Sequence, residues 1–456
     1  MQTKTLHFRS ALVGNQWINE PVFSVFEDGT IWDISVAEND QQVDESFDVV
    51  ALPGMTNVHS HAFQRAFAGL SEFRSSQHDS FWTWRNLMYK FLLQLNPEDV
   101  FIIARQLYLE MLMAGYTSVG EFHYIHNDVN GKPYANACEL SEAIIRAADE
   151  AGIGLCLLPV AYQRGGFDDS PLSAGQRRFS LSNQQLVSLF EELNPRTTSN
   201  FQLGVALHSL RAISIESANE LLTQVPTGLP VHIHIAEQTK EVDDCLAITG
   251  QRPVELLFNH FEVNPNWCLI HATHLNDEEL KKIATSQATV GLCPTTEANL
   301  GDGIFRGSDF ARLDGRFSIG SDSHCSVDLR DELRTLEYGQ RLRDRSRAIL
   351  CDDKISVGRR LYQETVCSGA KAIGFNAGEI TVGKRADFTL VDPNHPAIAG
   401  FGEDRLLDRM IFCNADDPII GSVVAGKVRM IDDNDFRNLV FDSRSRFLET
   451  CKKLTS

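Results

Sequence analysis

Histidine and carboxylate residues with metal-ligand spacing occur at four places in the chain. His59 and His61 are two residues apart, so on a β-strand both side chains point to the same face. Two imidazoles on one face can hold a divalent metal such as zinc, although two buried, hydrogen-bonded histidines would give the same pattern. His234, His271 and Asp322 follow other apolar segments, and buried groups of these types need partners that a metal supplies. The set therefore favours a metal centre.

A glutamate three residues after His234 adds a group for proton transfer. Beside a reacting water Glu237 is suited to shuttle protons, whereas at the start of a helix it would only interact with the helix dipole. His271 is either a further ligand or a hydrogen-bond partner of the water, and Asp322 is able both to bind metal and to accept a proton. The apolar segment 201–209 contains no lysine that could bridge two metals after carbamylation. One metal is therefore predicted.

Eight apolar segments with strand character carry these residues and alternate with helical segments. They span 55–61, 117–124, 153–162, 201–209, 230–237, 267–274, 288–294 and 316–322. This alternation predicts an α/β fold with a (β/α)8 barrel over residues 53–370. An open doubly wound sheet is the alternative, but no GxGxxG motif follows the first strand. Strand ends of a barrel meet at one mouth, so Glu121, His123, His232 and His324 are expected there as well.

Both ends of the chain have β-strand character and differ from the middle. The strand-like segments are 6–13, 23–29 and 30–36 near the start, and the hairpin-like segments GEITVGK (378–384) and VVAGKVRMI (423–431) near the end. Short isolated β tails bury little apolar surface. We therefore expect residues 1–52 and 371–456, the latter with a terminal helix, to form one small β-sandwich domain rather than two unrelated tails.

Composition excludes several classes of partner. With 42 Lys and Arg against 61 Asp and Glu, the net charge is −19, which disfavours nucleic acid and anionic membranes. No run of about 18 apolar residues predicts a membrane span, and the first residues lack the apolar core of a signal peptide. The ten cysteines form no CxxC pair, so a reducing, cytoplasmic location is expected.

These motifs resemble those of the amidohydrolase superfamily over essentially the whole chain. The matching segments are PGMTNVHSHAFQRAFAGL, HIHIAEQTKEV, LIHATHL, FSIGSDSH and the β-strand segment GKRADFTLVD. The resemblance implies a distorted (β/α)8 TIM-like barrel with a small β-sandwich built from both termini. For the deaminase branch it further implies one zinc ion, with ligands and catalytic residues at defined positions. The implied ligands are His59, His61, His234 and Asp322, and the implied catalytic residues are Glu237, His271 and Asp322.

Longer segments resemble the branch of the superfamily that deiminates N-formimino-L-glutamate in histidine degradation. They are HSHAFQRAFAGL, FWTWRNLMY, GYTSVGEFHYIHND, LHSLRAI and GLCPTTEANLGDGIF. The resemblance implies a small dicarboxylate amidine substrate, bound through its carboxylates by Arg85 and Arg211, and a homodimer. Gln64, Tyr124 and His208 are the further implied substrate contacts. Without the resemblance, Arg85 would be interpreted as a surface arginine.

Two other functions compete with this interpretation. A deaminase acting on a purine ring would share the metal ligands, but two arginines and Tyr124 have no obvious role with a neutral purine. A non-catalytic barrel used for binding would be expected to lack some of the ligands, all of which are present here. The sequence therefore favours deimination of a dicarboxylate.

Overall fold

The chain folds into a parallel barrel and a second sheet that contains strands from both ends. The computed structural model describes residues 3–38, 41–72, 81–413 and 416–455, without the side chains of residues 81–83. The strands are β1 (Thr3–Val13), β2 (Gln16–Asn19), β3 (Pro21–Phe26), β4 (Ile31–Val36), β5 (Glu45–Pro53), β6 (Met55–Ser60), β7 (Tyr116–His123), β8 (Gly154–Ala161), β9 (Phe201–Leu203), β10 (Val205–Leu207), β11 (Val231–Ile235), β12 (Trp267–His271), β13 (Thr289–Leu292), β14 (Arg316–Ile319), β15 (Phe388–Val391), β16 (Ile419–Val424) and β17 (Lys427–Met430).

Helices follow most of the barrel strands and cover the outside of the barrel. They are α1 (Phe81–Leu92), α2 (Pro97–Met113), α3 (Glu139–Ala151), α4 (Asn183–Leu193), α5 (Ile215–Gln224), α6 (Thr239–Thr249), α7 (Pro253–His260), α8 (Asp277–Ser286), α9 (Pro294–Leu300), α10 (Gly307–Arg312), α11 (Leu329–Asp344), α12 (Val357–Ala372), α13 (Leu406–Phe412) and α14 (Asn434–Thr455). Short 3-10 helices span Ala62–Phe67, Ala174–Phe179, Asn194–Arg196 and Glu403–Arg405. Local sequence explains several starts: Asn96 and Asp99 cap α2 reciprocally, and Pro97 occupies its first turn.

Strands β6 to β14 form a nearly closed parallel barrel, as predicted. Their order is β6-β7-β8-β10-β11-β12-β13-β14, and the short β9 also pairs with β8. At the seam between the first and last strands, Ser60 and Asp322 form a parallel bridge. Every residue of β7 and β8 is buried, because helices cover the outer face while side chains fill the interior.

Two predicted barrel strands differ from the observed ones. The segment 201–209 forms β9 and β10, which are separated at Gly204, where a Cβ atom would lie 2.5 Å from the side chain of Leu158. The segment 316–322 is extended only to Ile319, so Asp322 lies in the following loop. Asp322 has a φ of 47°, in the left-handed region, which an extended strand cannot include.

The second sheet confirms that both termini contribute to one β unit. Its order is β17-β16-β15-β5-β1-β3-β4, with β2 paired to β1. In a flat sheet Phe23 on β3 and Phe388 on β15 would be about 14 Å apart, at roughly 4.8 Å per strand step. Their ring centroids are 5.1 Å apart. The sheet therefore curls until its two halves face each other across an aromatic core, as in a sandwich.

One of the two predicted hairpins is wrong. VVAGKVRMI forms β16 and β17 around Ala425 and Gly426, whose φ angles of 47° and 76° suit a tight two-residue turn. GEITVGK instead forms an isolated bridge between its Ile380 and Val13 of β1, and the next residue, Arg385, forms another with Thr30. The segment therefore closes the curled sheet against the N-terminal strands rather than pairing with itself.

Direct hydrogen bonds join the terminal sheet to the barrel. The hydroxyl of Tyr362 on α12 donates to the carbonyl oxygen of Pro53 at 2.8 Å, and Thr389 Oγ1 donates to the carbonyl oxygen of Gly115 at 2.7 Å. The domain boundaries at 52/53 and 370/371 stay a prediction. Within the described part of the chain, no helix is both long enough and apolar enough to cross a membrane.

Candidate metal and substrate site

Three histidine rings and one carboxylate converge at the carboxyl end of the barrel. His59 and His61 lie at the end of β6, His234 lies in β11, and Asp322 follows β14. The Nε2 atoms of His59 and His234 are 3.0 Å apart. Asp322 Oδ1 lies 3.5 Å from His59 Nε2 and 3.4 Å from His61 Nε2, and all four residues are buried. The fold thus brings the four predicted ligands together.

Hydrogen bonds on the outer ring nitrogens prepare two of these histidines to bind a cation. His61 Nδ1 donates to the carbonyl oxygen of Phe122 at 3.0 Å, and His234 Nδ1 donates to that of His208 at 2.9 Å. Each ring therefore presents an unprotonated Nε2 to the centre. Burial lowers the pKa of His59, His61 and His234 below the ordinary 6.5, which keeps the rings neutral. Facing lone pairs beside a carboxylate fit a divalent metal with three nitrogen ligands and one oxygen ligand.

Glu237 and His271 lie next to this cluster. His271 Nε2 is 3.8 Å from Glu237 Oε1 and 3.9 Å from Asp322 Oδ2. Burial raises the pKa of Glu237 to about 7, although the charge of His271 opposes the shift. Burial alone would lower the pKa of His271, but the carboxylates of Glu237, Glu297 and Asp322 outweigh it and raise the pKa to about 10. The arrangement therefore places two groups that can carry protons, Glu237 and His271, beside the predicted metal ligands.

Several residues near the cluster have strained backbone conformations. Ala236, His271, Ala272, Asp322 and His324 have φ angles of 50°, 67°, 48°, 47° and 59°. Each non-glycine residue in the left-handed region costs about 1–2 kcal/mol, and such residues cluster at functional sites. Here these residues lie at or just after the ends of β11, β12 and β14. The sequence contains no glycine or other signal for these turns.

A pocket at the carboxyl end of the barrel is lined by members of the cluster and by further polar and aromatic side chains. Its lining comprises His61, Gln64, Trp84, Arg85, Met88, Tyr89, Tyr124, Tyr162, Phe179, His208, Arg211, His234, Glu237, His271, Leu300 and Asp322. All five side chains predicted to contact substrate are therefore in the same pocket as the cluster.

Two guanidinium groups, those of Arg85 and Arg211, line the same pocket. Burial lowers the pKa of Arg85, and the neighbouring positive charge of Arg211 acts in the same direction. The Arg85 guanidinium lies 5.6 Å from the centre of the Tyr89 ring. Nearby, Gln64 Nε2 donates to the Tyr124 hydroxyl at 2.9 Å. Two adjacent cations facing one pocket suit a ligand with carboxylates.

Several lining residues were missed by the sequence analysis. Tyr89 follows Arg85 by four residues, and this helical spacing was a usable signal because it places both on one face of α1. Tyr162 directly follows β8, and Gln176 Nε2 donates to its hydroxyl at 2.7 Å. Phe179 comes from a 3-10 helix that no sequence pattern indicated.

Four residues predicted at the mouth do not line the pocket. His232 precedes His234 by two residues and lies deeper in the barrel, where its Nε2 donates to the carbonyl oxygen of Ala372 at 2.8 Å. The ring of His123 packs against His126, with ring centroids 5.4 Å apart. Glu121 and His324 instead hydrogen-bond to Ser60, behind the ligands of β6.

Comparisons with known proteins agree with this geometry. A sequence profile of the amidohydrolase family matches residues 50–429, and the chain belongs to that family, as its motifs predicted. The chain is 48% identical over 419 residues to formimidoylglutamate deiminase of Pseudomonas aeruginosa, covering 91% of this chain and 92% of that protein.

Solved structures show the same fold. An amidohydrolase from Brucella melitensis has a TM-score of 0.91 and 40% sequence identity, covering 99% of this chain and 100% of its own. A zinc-bound adenosine deaminase from Xanthomonas campestris has a TM-score of 0.78 and 19% identity, covering 98% of each chain. At that identity the second likeness concerns the fold alone.

Proposed function

We propose that this protein hydrolyses N-formimino-L-glutamate to N-formyl-L-glutamate and ammonia, as a step of histidine degradation. The observation that carries the proposal is one pocket lined both by members of a buried three-histidine, one-aspartate cluster and by Arg85 and Arg211. The name of the Pseudomonas aeruginosa relative supports the same substrate.

We further propose one zinc ion per chain, with His59, His61, His234 and Asp322 as ligands. When bound, a divalent metal lowers the pKa of a coordinated water toward about 7 and so supplies a nucleophile at neutral pH. Neutral imidazoles also suit iron, manganese or nickel, so elemental analysis of the purified protein tests the choice of zinc. We expect about one zinc atom per chain, because zinc is commonly bound by four histidine and carboxylate ligands of this kind.

The catalytic side chains divide the proton transfers among them. Asp322, with His271 3.9 Å away, accepts the proton that the attacking water loses and holds the water in line. Glu237, with its pKa raised to about 7 by burial, retains a proton near neutrality and donates it to the nitrogen that leaves as ammonia.

The other polar side chains of the pocket bind and orient the substrate. Arg85 and Arg211 pair with the two carboxylates, since a guanidinium forms two parallel hydrogen bonds with a carboxylate. Gln64 and Tyr124, already hydrogen-bonded to each other, offer polar atoms along the pocket. Burial lowers the pKa of His208 well below its ordinary value, so this ring contributes hydrogen bonds rather than charge.

Ammonia release from N-formimino-L-glutamate tests the proposal, with guanine and adenosine assayed in parallel on protein of known metal content. Ammonia from the first substrate alone supports deimination of a dicarboxylate. Ammonia from a purine alone would be consistent with the proposed hydrolytic site but would refute carboxylate binding by Arg85 and Arg211. No ammonia from metal-loaded protein would refute the substrate assignment.

We also propose that the protein is a cytoplasmic homodimer with domains at 1–52, 53–370 and 371–456. All ten cysteines are free, which suits a reducing compartment. A dimer with twofold symmetry is the commonest form among soluble homo-oligomers. Light scattering on the purified protein tests the dimer, and limited proteolysis tests the domain boundaries.

A further inference from the structure

A buried glutamate outside the pocket contacts the outer nitrogen of His271. Glu297 lies in α9, is 5% exposed, and has its Oε1 atom 3.3 Å from His271 Nδ1. The same oxygen accepts a hydrogen bond from the backbone N–H of Cys293 at 2.9 Å. Glu297 thus connects the end of β12, where His271 lies, to the end of the neighbouring strand β13.

We propose that Glu297 is the positioning residue of His271. The proposal rests on the function proposed above, in which His271 Nε2 acts on the reacting water. A carboxylate only accepts hydrogen bonds, so the contact requires a proton on Nδ1 of His271. Nε2 is then directed at Glu237 and Asp322, 3.8 Å and 3.9 Å away.

The local backbone explains why His271 needs such a partner. His271 and the following Ala272 both have positive φ angles, 67° and 48°, so the chain turns sharply at the residue whose ring must be oriented. The turn fixes the backbone of His271 but not its χ angles, so side-chain contacts decide which way the ring faces. Glu297 supplies this contact from a separate element, as outer partners of active-site histidines do.

The position of Glu297 is itself constrained from two sides. Its backbone N–H donates to the carbonyl oxygen of Cys293 at 2.8 Å, while its side chain returns to the N–H of the same residue. Two residues earlier, Thr295 donates through its N–H and Oγ1 to the buried carboxylate of Glu332 on α11, at 2.9 Å and 2.6 Å. The start of α9 is therefore held firmly behind His271.

Glu332 offers a matched control for the role of Glu297. Both are buried glutamates that accept backbone hydrogen bonds around the start of α9, but the described contacts of Glu332 are with Thr295 and not with His271. Loss of either carboxylate should weaken the packing of α9. Only loss of Glu297 should also release the His271 ring.

The experiment compares Glu297→Leu, Glu297→Gln and Glu332→Gln in the metal-loaded enzyme. For Glu297→Leu we expect kcat to fall about 10- to 100-fold, with KM changed by less than about threefold and metal content unchanged. Glu297→Gln keeps an acceptor oxygen and should recover most of the loss. Glu332→Gln should lower the melting temperature but leave kcat within about twofold of the parent.

Other results would overturn the proposal. They are a Glu297→Leu enzyme with unchanged kcat, equal losses in Glu297→Gln and Glu297→Leu, or a loss of kcat that Glu332→Gln reproduces. A crystal structure of Glu297→Leu gives a readout that does not depend on substrate: we expect the His271 ring to be turned away from its parental orientation. A parent enzyme inactive on N-formimino-L-glutamate would refute the proposed function, whereas an unmoved His271 ring would refute the positioning role alone.

Discussion

At the scale of single residues, the histidines of this site differ in the group that contacts Nδ1, the ring nitrogen that faces away from the cluster. This difference distinguishes metal ligands from a proton carrier. His61 and His234 donate from Nδ1 to neutral backbone carbonyls, which leaves their Nε2 atoms available as uncharged ligands. His271 faces the carboxylate of Glu297 instead. A carboxylate favours the protonated imidazolium, so His271 is suited to hold a proton rather than a metal.

Replacement of a proposed ligand tests this division. We expect His61→Ala and Asp322→Ala to lose bound metal and to lower kcat by more than about 100-fold, because each removes a donor directly rather than its partner. Metal analysis and ammonia release on the same preparations measure both effects. His232→Gln is the control, since His232 contacts a backbone carbonyl below the site and should retain the metal. Full metal content in His61→Ala would contradict the ligand assignment.

The arginine pair predicts which part of the substrate is recognised. We expect Arg211→Met to lower kcat/KM by at least about tenfold, since removal of one partner of a buried charge pair costs about 2–5 kcal/mol. The parent enzyme should discriminate strongly against an analogue in which the side-chain carboxylate contacting Arg211 is an amide.

The variant and the analogue together form a cycle. If Arg211 binds that carboxylate, Arg211→Met should discriminate much less between the acid and the amide than the parent does. Steady-state kinetics with both compounds and both enzymes measure the coupling. Equal discrimination in parent and variant would show that Arg211 acts elsewhere, and the same cycle with Arg85→Met then identifies the partner.

At the scale of elements, a polar network holds the seam of the barrel behind the ligands. Between β6 and the loop after β14, Asn57 Nδ2 donates to Ser321 Oγ at 2.6 Å, and Ser321 Oγ lies 2.9 Å from His324 Nδ1. Ser60, between the two ligands of β6, donates to Glu121 Oε2 at 2.5 Å. At this seam one β-bridge takes the place of a full strand ladder, and side-chain hydrogen bonds complete the connection.

The buried carboxyl group of this network predicts a pH-dependent stability. Burial raises the pKa of Glu121 to about 7 from an ordinary 4.5, although hydrogen bonds from Ala62, Ser60 and Tyr108 oppose the shift. Because the folded pKa is the higher one, folding takes up a proton between these values. The stabilisation is complete below about pH 4.5 and is lost as pH rises to about 7, by an amount on the order of 3 kcal/mol.

Glu121→Gln isolates this contribution because glutamine does not titrate. We expect the free energy of unfolding of the parent to fall relative to that of Glu121→Gln between about pH 5 and pH 7.5, as measured by denaturant titrations at several pH values. Other titrating groups cancel in the difference. A pH-independent difference between the two proteins would contradict the raised pKa.

A second connection between elements holds the substrate wall. The fully buried Arg178 donates from Nε to the carbonyl oxygen of Asn127 at 3.0 Å and from Nη1 to that of Leu92, the last residue of α1. Its own carbonyl oxygen accepts the N–H groups of His126 and Asn127. It thereby joins α1, which carries Arg85, to the loop after β7.

Arg178→Met should therefore disturb substrate binding more than chemistry. We expect KM to rise about tenfold with a smaller change in kcat, because lost hydrogen bonds of roughly 1–3 kcal/mol loosen the wall but not the metal cluster. Metal content should stay at the parental level. Arg178→Lys keeps the positive charge but not the branched guanidinium group. Its KM should therefore lie between those of the parent and of Arg178→Met. A fall in kcat and metal content at constant KM would contradict this placement.

At the scale of the whole molecule, the sequence predicted which strands carry the site but not how deep each residue lies. The barrel and its ligands were predictable because apolar segments ending in His or Asp are local patterns. His232 and Glu121 were misplaced because their height in the barrel depends on the register between strands, in which Glu121 pairs with Ser60. The contact between Glu297 and His271 joins separate elements, so no local pattern indicates it.

The proposed metal also predicts a global effect, because its ligands lie on both sides of the seam. The N–H of Asp322 donates to the carbonyl oxygen of His59 at 3.0 Å, and the N–H of His61 donates to that of Asp322 at 3.3 Å. A cation held by these three residues and by His234 in β11 would therefore reinforce the barrel where its ladder is weakest.

Chelation should destabilise the protein, with the effect concentrated at that seam. Ligand binding to the folded state stabilises by about 4 kcal/mol when the free metal is 1,000 times its Kd, so the melting temperature should fall when metal is removed and recover when zinc is restored. Hydrogen exchange should accelerate in β6 and in the segment after β14 more than in the terminal sheet, since only the former contain ligands. His61→Ala should already melt near the chelated parent and respond little to the chelator. Uniform acceleration over both sheets, or an unchanged melting temperature, would show that the barrel closes without the metal.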